Sequence, residues 1–219
     1  MINVICVLKS GGVYDKDYAQ RLARMVHRNL SLSHRFICLT DGVTESEFDT
    51  DDNIQWEPLL HNWPGWWSKV EMWRPDLEKY GRFLYMDLDM VVTGSLDDIA
   101  SYEGDAAVTY DFGHPVPSQT VMNYTPGACR EIWDTFNKNP SYWIAEGDKM
   151  TPPFWGDQIL TTKAYSGEFD NYQELVPGQI VSYKIHCGSG LPPGARLVSF
   201  HGNPKPRETS LDWVSRNWQ

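Results

Sequence analysis

Residues 82–92 read RFLYMDLDMVV, and this stretch does most to decide the fold. It begins with a short apolar run that is typical of a buried strand. The run leads directly into Asp87 and Asp89, and residues 90–92 continue as a further extended segment. Because side chains alternate along an extended chain, the two acids point to the same side if the segment stays extended. Two carboxylates are thus predicted at the carboxyl end of a buried strand.

This pair of acids predicts a metal site. Paired carboxylates at a strand end are costly unless a cation neutralises them, and oxygen ligands suit Mg²⁺ or Mn²⁺. Open α/β sheets also bind their ligands beyond the carboxyl ends of strands. The alternative interpretation is that the strand ends there and that Asp87 and Asp89 face water. Their position between two buried segments favours the metal site.

A histidine and a lysine near the end of the chain extend this hypothesis. Residues 197–200 read LVSF, which predicts a strand that ends at His201, and Lys205 follows four residues later. An imidazole added to two carboxylates favours Mn²⁺ over Mg²⁺, and Lys205 can reach a phosphate on the same metal. Taken alone, His201 also fits a capped histidine in a surface turn. Together with Asp87 and Asp89 it predicts a metal–diphosphate site.

The rest of the chain predicts an α/β fold with one domain over residues 1–219. Residues 3–8, a helical pattern from Asp15 or Asp17 as cap, and residues 35–40 form a β-α-β unit, which indicates a parallel sheet. Proline- and glycine-rich loops are expected between residues 111 and 127 and between 138 and 156, where they build the site. Further helices are expected from Ser68, from Thr125-Pro126-Gly127 and over 156–165, and further strands over 106–110, 179–185 and 196–200.

Composition excludes several classes of function. The net charge is −10, so the chain lacks the broad basic surface that nucleic acid or an anionic membrane requires. No stretch has the roughly 18 apolar residues of a membrane helix, and residues 1–8 do not resemble a signal peptide. The four cysteines show no metal-type spacing and are interpreted as buried thiols of a cytoplasmic protein.

Residues 67–100, WSKVEMWRPDLEKYGRFLYMDLDMVVTGSLDDIA, resemble the D-x-D region of glycosyltransferases with the GT-A fold. The pattern is most similar to glycosyltransferase family 8, which includes glycogenin and bacterial lipopolysaccharide galactosyltransferases, or to a neighbouring family. Three further segments occur along the chain in the same order as in that family. They are the first strand with its loop, residues 156–158, and the terminal H-G-x-x-K-P. The resemblance implies a Rossmann-like GT-A domain, with a mixed, mostly parallel sheet flanked by helices. It also implies a metal-dependent hexosyltransferase that moves a sugar from a UDP-sugar to a saccharide or another hydroxyl acceptor.

The resemblance also implies roles for individual residues. Asp87, Asp89 and His201 would hold Mn²⁺, with Mg²⁺ as the other candidate. Asp157 and Gln158 match a D-Q pair near the sugar and are the candidate catalytic residues. The donor would be bound by a further set, which comprises Leu8, Lys9, Ser10, Tyr14, Lys69, Asp87, Leu88, Ser118 and Lys205.

Two departures from the family pattern affect these assignments. The family's N-S-G stretch reads Pro117-Ser118-Gln119 here, and Lys205 follows His201 at a closer spacing than in family 8. The resemblance therefore does not decide between retention and inversion at the sugar.

Several alternatives remain open at this stage. Asp157 follows Gly156 at a predicted helix start, so its charge either serves the reaction or complements the helix dipole. Among the ten tryptophans, Trp63, Trp66, Trp67 and Trp155 are candidates for stacking on an acceptor sugar, although tryptophan is more often part of a core. The rival functions are a sugar nucleotidyltransferase and a non-catalytic module that binds a sugar nucleotide or a carbohydrate.

Overall fold

A seven-stranded mixed sheet forms the centre of the molecule. The computed structural model describes residues 1–42 and 53–219. The strands in this part of the chain are β1 (Ile2–Leu8), β2 (His34–Thr40), β3 (Ile54–Pro58), β4 (Phe83–Met86), β5 (Met90–Val92), β6 (Ala106–Tyr110), β7 (Pro117–Tyr124), β8 (Asp170–Asn171), β9 (Ile180–Ser182) and β10 (Leu197–Ser199). The large sheet has the order β3-β2-β1-β4-β7-β6-β8. Strands β3, β2, β1 and β4 are parallel, whereas β7 runs antiparallel to both of its neighbours.

Helices cover both faces of the sheet. The α-helices are α1 (Lys16–Asn29), α2 (Asp97–Ala100), α3 (Arg130–Lys138), α4 (Pro140–Gly147), α5 (Gln158–Ala164), α6 (Tyr172–Leu175), α7 (Tyr183–His186) and α8 (Asp212–Asn217). In the described ranges, three 3₁₀ helices span Gly65–Trp73, Pro75–Tyr80 and Pro206–Glu208. One buried cluster lies on the α1 side of the sheet, and a second lies on the side of α3 and Gly65–Trp73. The predicted fold class is confirmed.

The predicted β-α-β unit is also confirmed. Strands β1 and β2 pair in parallel, and α1 buries Tyr18, Leu22 and Val26 on its inner face. Asp15 occupies the N-cap position, but its side chain makes no cap hydrogen bond. Its carboxylate instead accepts hydrogen bonds from Arg207. Asp15 therefore links the start of α1 to Arg207, near the end of the chain, and does not cap the helix with its side chain.

A small second sheet carries the end of the D-x-D stretch. Strand β5 pairs antiparallel with β10, and β10 pairs in parallel with β9. The chain leaves the large sheet at Met86, turns through residues 87–89, and enters the small sheet at Met90. This turn brings the two acids close to the residues that follow β10.

Several predicted elements were wrong in type or extent. The helix expected from Ser68 is a pair of 3₁₀ helices interrupted before Pro75, whose ring excludes a continuous helix. The loop expected over 111–127 contains β7, which is buried between β4 and β6 and therefore shows no alternating pattern. The loop expected over 138–156 contains α4, which starts with Pro140.

Smaller differences concern element ends and the cysteines. The helix expected from Thr125 begins at Arg130, and the strand expected over 179–185 ends at Ser182, where α7 begins. Cys6, Cys38, Cys129 and Cys187 are all buried and free, as predicted. No helix among the described residues combines the length and apolar character needed to cross a membrane.

Candidate active site

A cleft of about 560 Å³ opens at the carboxyl ends of β1 and β4. This edge of the sheet is where open α/β folds bind ligands. The predicted site residues that line the cleft are Lys9, Ser10, Tyr14, Lys69, Asp87, Leu88, Asp89, Ser118, Asp157, Gln158, His201 and Lys205. Leu8 is the exception, because it is 5% exposed and belongs to the hydrophobic core on the α1 side.

Asp87 follows β4 directly and is held by a tyrosine and a lysine. Tyr85 donates a hydrogen bond of 2.7 Å to Asp87 Oδ1, and Lys69 Nζ lies 3.1 Å from the same oxygen. Burial raises the pKa of Asp87, and the charge of Asp89 raises it further, while Lys69 lowers it. The two acids therefore repel each other, and Lys69 offsets part of that repulsion.

Asp89 is more deeply buried and has its own lysine. Lys205 Nζ lies 2.6 Å from Asp89 Oδ2, and the Tyr14 hydroxyl donates to the same oxygen at 2.7 Å. Burial and the charge of Asp89 raise the pKa of Tyr14, so this hydroxyl keeps its proton. Each acid of the D-x-D motif thus has one lysine and one tyrosine hydroxyl as partners.

Asp157 faces Lys69 across the cleft. Its Oδ2 lies 3.7 Å from Lys69 Nζ and has no hydrogen-bond partner among the described residues, although the atom is buried. Asp157 occupies the N-cap position of α5, but its side chain caps no backbone N–H. Burial alone lowers the pKa of Lys69, but the carboxylates of Asp157 and Asp87 outweigh burial and raise it. The carboxylate is therefore directed towards the cleft lysine and does not cap the helix.

His201 follows β10 and lines the same cleft. Its Nε2 is 2.7 Å from Ser182 Oγ, and its ring stacks on Phe112 with centroids 5.7 Å apart. Burial lowers the pKa of His201, and the charge of Lys184 lowers it further. The ring is therefore neutral near pH 7, which is the form that binds a metal.

The donor set has the right chemistry for a hard divalent cation. Two carboxylates and a neutral imidazole line one cleft, and the repulsion between Asp87 and Asp89 is of the kind that a metal relieves. As the side chains are placed, residues 1–42 and 53–219 contain no cluster of three or more His, Cys, Asp or Glu suited to a metal. Lys69 and Lys205 hold the two carboxylates in this arrangement.

An acid that was not predicted lies behind the cleft residues Lys9 and Ser10. Asp41 follows β2, and the neighbouring parallel strands place it beside the loop after β1. It accepts hydrogen bonds from the backbone N–H and hydroxyl of Ser10, and it pairs with Lys9. Burial alone raises the pKa of Asp41, but these hydrogen bonds lower it overall. The sequence could have indicated Asp41, since this residue follows the second predicted strand of the β-α-β unit.

Gln119 is a second residue that the sequence analysis did not place in the site. It lines the cleft, is 1% exposed, and neither of its side-chain amide atoms has a hydrogen-bond partner in the described part of the chain. Its neighbours Ser118 and Thr120 bond to each other through their hydroxyls, 3.2 Å apart. Strand β7 therefore contributes polar side chains to the cleft wall.

The four candidate stacking tryptophans separate into two pairs. Trp66 and Trp155 are 48% and 36% exposed and line the cleft. Trp67 is buried in the core, and Trp63 packs against Phe136 with centroids 4.6 Å apart. Only the first pair is therefore available to a ligand in the cleft.

Comparison with solved structures identifies the fold. An active-site mutant of LgtC matches 98% of this chain and 93% of that chain, with 12% identity and a TM-score of 0.68. The GT-A glycosyltransferase fold is thus established. The galactosyltransferase LgtC in complex with donor and acceptor sugar analogs gives 14% identity and a TM-score of 0.66, over 98% of this chain and 93% of that one.

A third match and two negative results complete the comparison. The glycosyltransferase GlyE of Streptococcus pneumoniae TIGR4 aligns with 99% of this chain and 60% of that chain, at 13% identity and a TM-score of 0.68. No protein-family model matches the sequence, and no curated protein matches it. The predicted resemblance is therefore confirmed at the level of the fold.

Proposed function

We propose that this protein is a glycosyltransferase that moves a hexose from a UDP-sugar to an acceptor hydroxyl and requires Mn²⁺. The observation that carries the proposal is the position of Asp87 and Asp89. On a GT-A fold, both acids lie at the carboxyl end of β4 in a cleft, and each has a lysine partner. His201 lines the same cleft from the end of β10.

The reaction breaks the bond between the sugar and the diphosphate, so negative charge grows on the leaving group. A cation held by Asp87, Asp89 and His201 would stabilise that charge when bound, which is the main contribution of a metal to such a step. The protein's part is to keep these three donors in their binding forms. Lys69 favours the ionised form of Asp87, and burial keeps His201 neutral.

Two groups of residues in and beside the cleft fit the two parts of the donor. Lys9, Ser10 and Asp41 form a hydrogen-bonded group near β1, which suits a nucleoside with its polar edges. Asp157 and Gln158 line the same cleft, and Gln158 Oε1 accepts a hydrogen bond from the Trp155 backbone N–H. The unpartnered Asp157 Oδ2 can accept a proton or a hydrogen bond from a sugar hydroxyl.

Trp66 and Trp155 give the acceptor side a surface. A pyranose has an apolar face that stacks on an indole ring, and both rings are exposed in the cleft wall. We therefore propose a saccharide as the acceptor. We also place the protein in the cytoplasm, because its four cysteines are buried, free thiols.

The test is an assay of donor cleavage with and without Mn²⁺, using several UDP-sugars. Release of UDP that requires Mn²⁺ supports the proposal. Replacing Asp87 or Asp89 by Asn should then lower the rate on the order of 10²–10³-fold, as for other lost electrostatic contacts. Lys163→Gln is a suitable control, because Lys163 is exposed and does not line the cleft.

The same assay separates the rival functions. Pyrophosphate chemistry with a sugar 1-phosphate and a nucleoside triphosphate would indicate a nucleotidyltransferase. Binding of UDP-sugars without any turnover would indicate a non-catalytic module. Metal-independent turnover would contradict the role of Mn²⁺ and leave sugar transfer standing.

A further inference from the structure

The lysines that line the cleft are engaged by other groups. Lys9 pairs with Asp41, and Lys69 lies between Asp87 and Asp157. Lys205 is the most fully engaged, since its ammonium bonds to Asp89 Oδ2 at 2.6 Å, to the Tyr14 hydroxyl at 2.7 Å and to the Phe200 carbonyl at 3.4 Å. An ammonium has three N–H donors, so Lys205 has none left for a phosphate in this arrangement.

Lys184 is a cation at the edge of this cleft whose charge is not engaged. It belongs to α7, which follows β9 directly. Its side chain lies over Gly202, because a Cβ on Gly202 would come within 2.4 Å of Lys184 Nζ. Gly202 lines the cleft next to His201, and the charge of Lys184 is close enough to lower the pKa of His201. In the described ranges, 1–42 and 53–219, no carboxylate lies within 4.0 Å of this ammonium and no hydrogen bond engages it.

Gly202 gives Lys184 access to the cleft. The backbone of Gly202 has a φ of +70°, a region that disfavours other residues, and the glycine leaves no side chain between the ammonium and the cleft. The neighbouring Ser182 also fixes the local geometry, since its hydroxyl contacts His201 Nε2 and accepts from the Ile185 backbone N–H. The lysine, the glycine and the histidine thus form one edge of the cleft.

We infer that Lys184 binds the phosphates of the donor beside Gly202 and His201. The inference rests on the proposed function, because it assumes a nucleoside diphosphate group as ligand. Three carboxylates face the cleft, namely Asp87, Asp89 and Asp157. Lys69 and Lys205 pair with these carboxylates, whereas Lys184 has no carboxylate partner in the described ranges, so its ammonium can contact a phosphate that reaches Gly202.

The test is the binding of nucleotides to the full chain by calorimetry in the presence of Mn²⁺. UDP, ADP, GDP and CDP are compared on the wild type, and the tightest is then measured on Lys184→Gln and Lys184→Arg. A lost charged contact to phosphate should weaken binding of the diphosphate about tenfold or more in Lys184→Gln. Lys184→Arg should retain most of the affinity, and the matching nucleoside should bind all variants equally. Lys163→Gln serves as the matched control, being an exposed lysine outside the cleft.

Each outcome decides a different point. Equal diphosphate affinity in Lys184→Gln and the wild type would overturn the inference and leave the proposed function intact. A Lys184-dependent diphosphate affinity without sugar transfer would overturn the proposed function and support the binding role. Failure of all four diphosphates to bind the wild type would overturn both. Thermal unfolding of Lys184→Gln at the wild-type temperature confirms that the variant is folded.

Discussion

Lys205 Nζ lies 2.6 Å from Asp89 Oδ2, although the two residues are 116 positions apart in the chain. Both side chains are more than nine-tenths buried. The contact joins the turn after β4 to the segment after β10, and the Tyr14 hydroxyl completes it from the loop after β1. Three distant parts of the sequence are thus fixed around one carboxylate.

The first prediction follows from this contact and contrasts the two acids. Asp89→Asn leaves the buried ammonium of Lys205 without a charged partner, which costs about 3 kcal/mol for a buried pair. For a chain of this size that lowers the melting temperature by about 6–12 °C. The double variant Asp89→Asn/Lys205→Met should recover part of the loss. Circular dichroism on heating measures all of these variants.

Asp87→Asn should behave differently in the same measurement. The pKa of Asp87 is raised above its ordinary value of 3.8, so the folded protein holds this proton more tightly than the unfolded chain. The ionised form of Asp87 therefore lowers the free energy of unfolding. This loss of stability grows as the pH rises from 3.8 through the pKa of Asp87 in the folded protein. Asn removes that cost, so at pH 7 the variant should melt no lower than the wild type. A melting temperature well below that of the wild type, as expected for Asp89→Asn, would contradict this prediction.

The third prediction concerns Lys69 and the pH dependence of the reaction. Lys69 lowers the pKa of Asp87, so Lys69→Gln should raise the pKa of Asp87 further. The acidic limb of the profile of kcat/KM against pH should then move to higher pH, and the rate at pH 7 should fall. Lys163→Gln should leave the profile unchanged. An acidic limb that stays in place in Lys69→Gln would show that Asp87 does not control it.

The fourth prediction tests the acceptor surface. Trp66→Ala and Trp155→Ala should raise the KM for a saccharide acceptor up to about tenfold, because a stacked aromatic pair is worth about 0.5–1.5 kcal/mol beyond its buried area. Donor hydrolysis in the absence of acceptor should stay near the wild-type rate. Trp66→Phe and Trp155→Phe keep a ring and should retain most of the acceptor affinity. Equal losses in donor hydrolysis and transfer would mean that the tryptophans support the fold alone.

The fifth prediction concerns the packing behind Asp157. A Cβ on Gly147 would lie 2.5 Å from the Gly156 carbonyl oxygen and 2.5 Å from the Trp67 ring. Gly147→Ala should therefore force α4 away from the segment that carries Asp157 and destabilise the protein by about 1–3 kcal/mol. Gly188→Ala is the control, since nothing lies within 4 Å of a Cβ at that position. Urea denaturation of both variants compares the free energies of unfolding.

The elements with strong local patterns could be predicted from the sequence. The apolar run before Asp87 forms the predicted strand β4, and the residues with helical periodicity after Asp15 form the predicted helix α1. Strand β7 was missed because it is buried on both faces and includes polar residues that face the cleft. The segment from Gly65 forms 3₁₀ turns because packing of Trp67 and Trp73 into the core overrides helix propensity.

The candidate site was predictable where its residues follow strands. Asp87, Asp89 and His201 each lie just after a strand end or between two strands, and all three line the cleft. The partners of these residues depend on tertiary contacts that no local pattern encodes. Lys205 binds Asp89, and Lys184 reaches across Gly202 from another helix. The positions of Asp87, Asp89 and His201 in the cleft could therefore be predicted from the sequence, whereas the pairing of the lysines with the acids could not.

The turn at residues 87–89 passes the chain from the large sheet to the small one, so the acids are anchored by strand pairing on both sides. Met150 and Trp155 also line the cleft, but residues 148–157 contain no strand or helix. Insertions and replacements within residues 148–154, which precede Gly156 and Asp157, are expected to leave the anchored acids undisturbed. Over evolutionary time, descendants of this chain can thus change this wall of the cleft while they keep Asp87 and Asp89 in place.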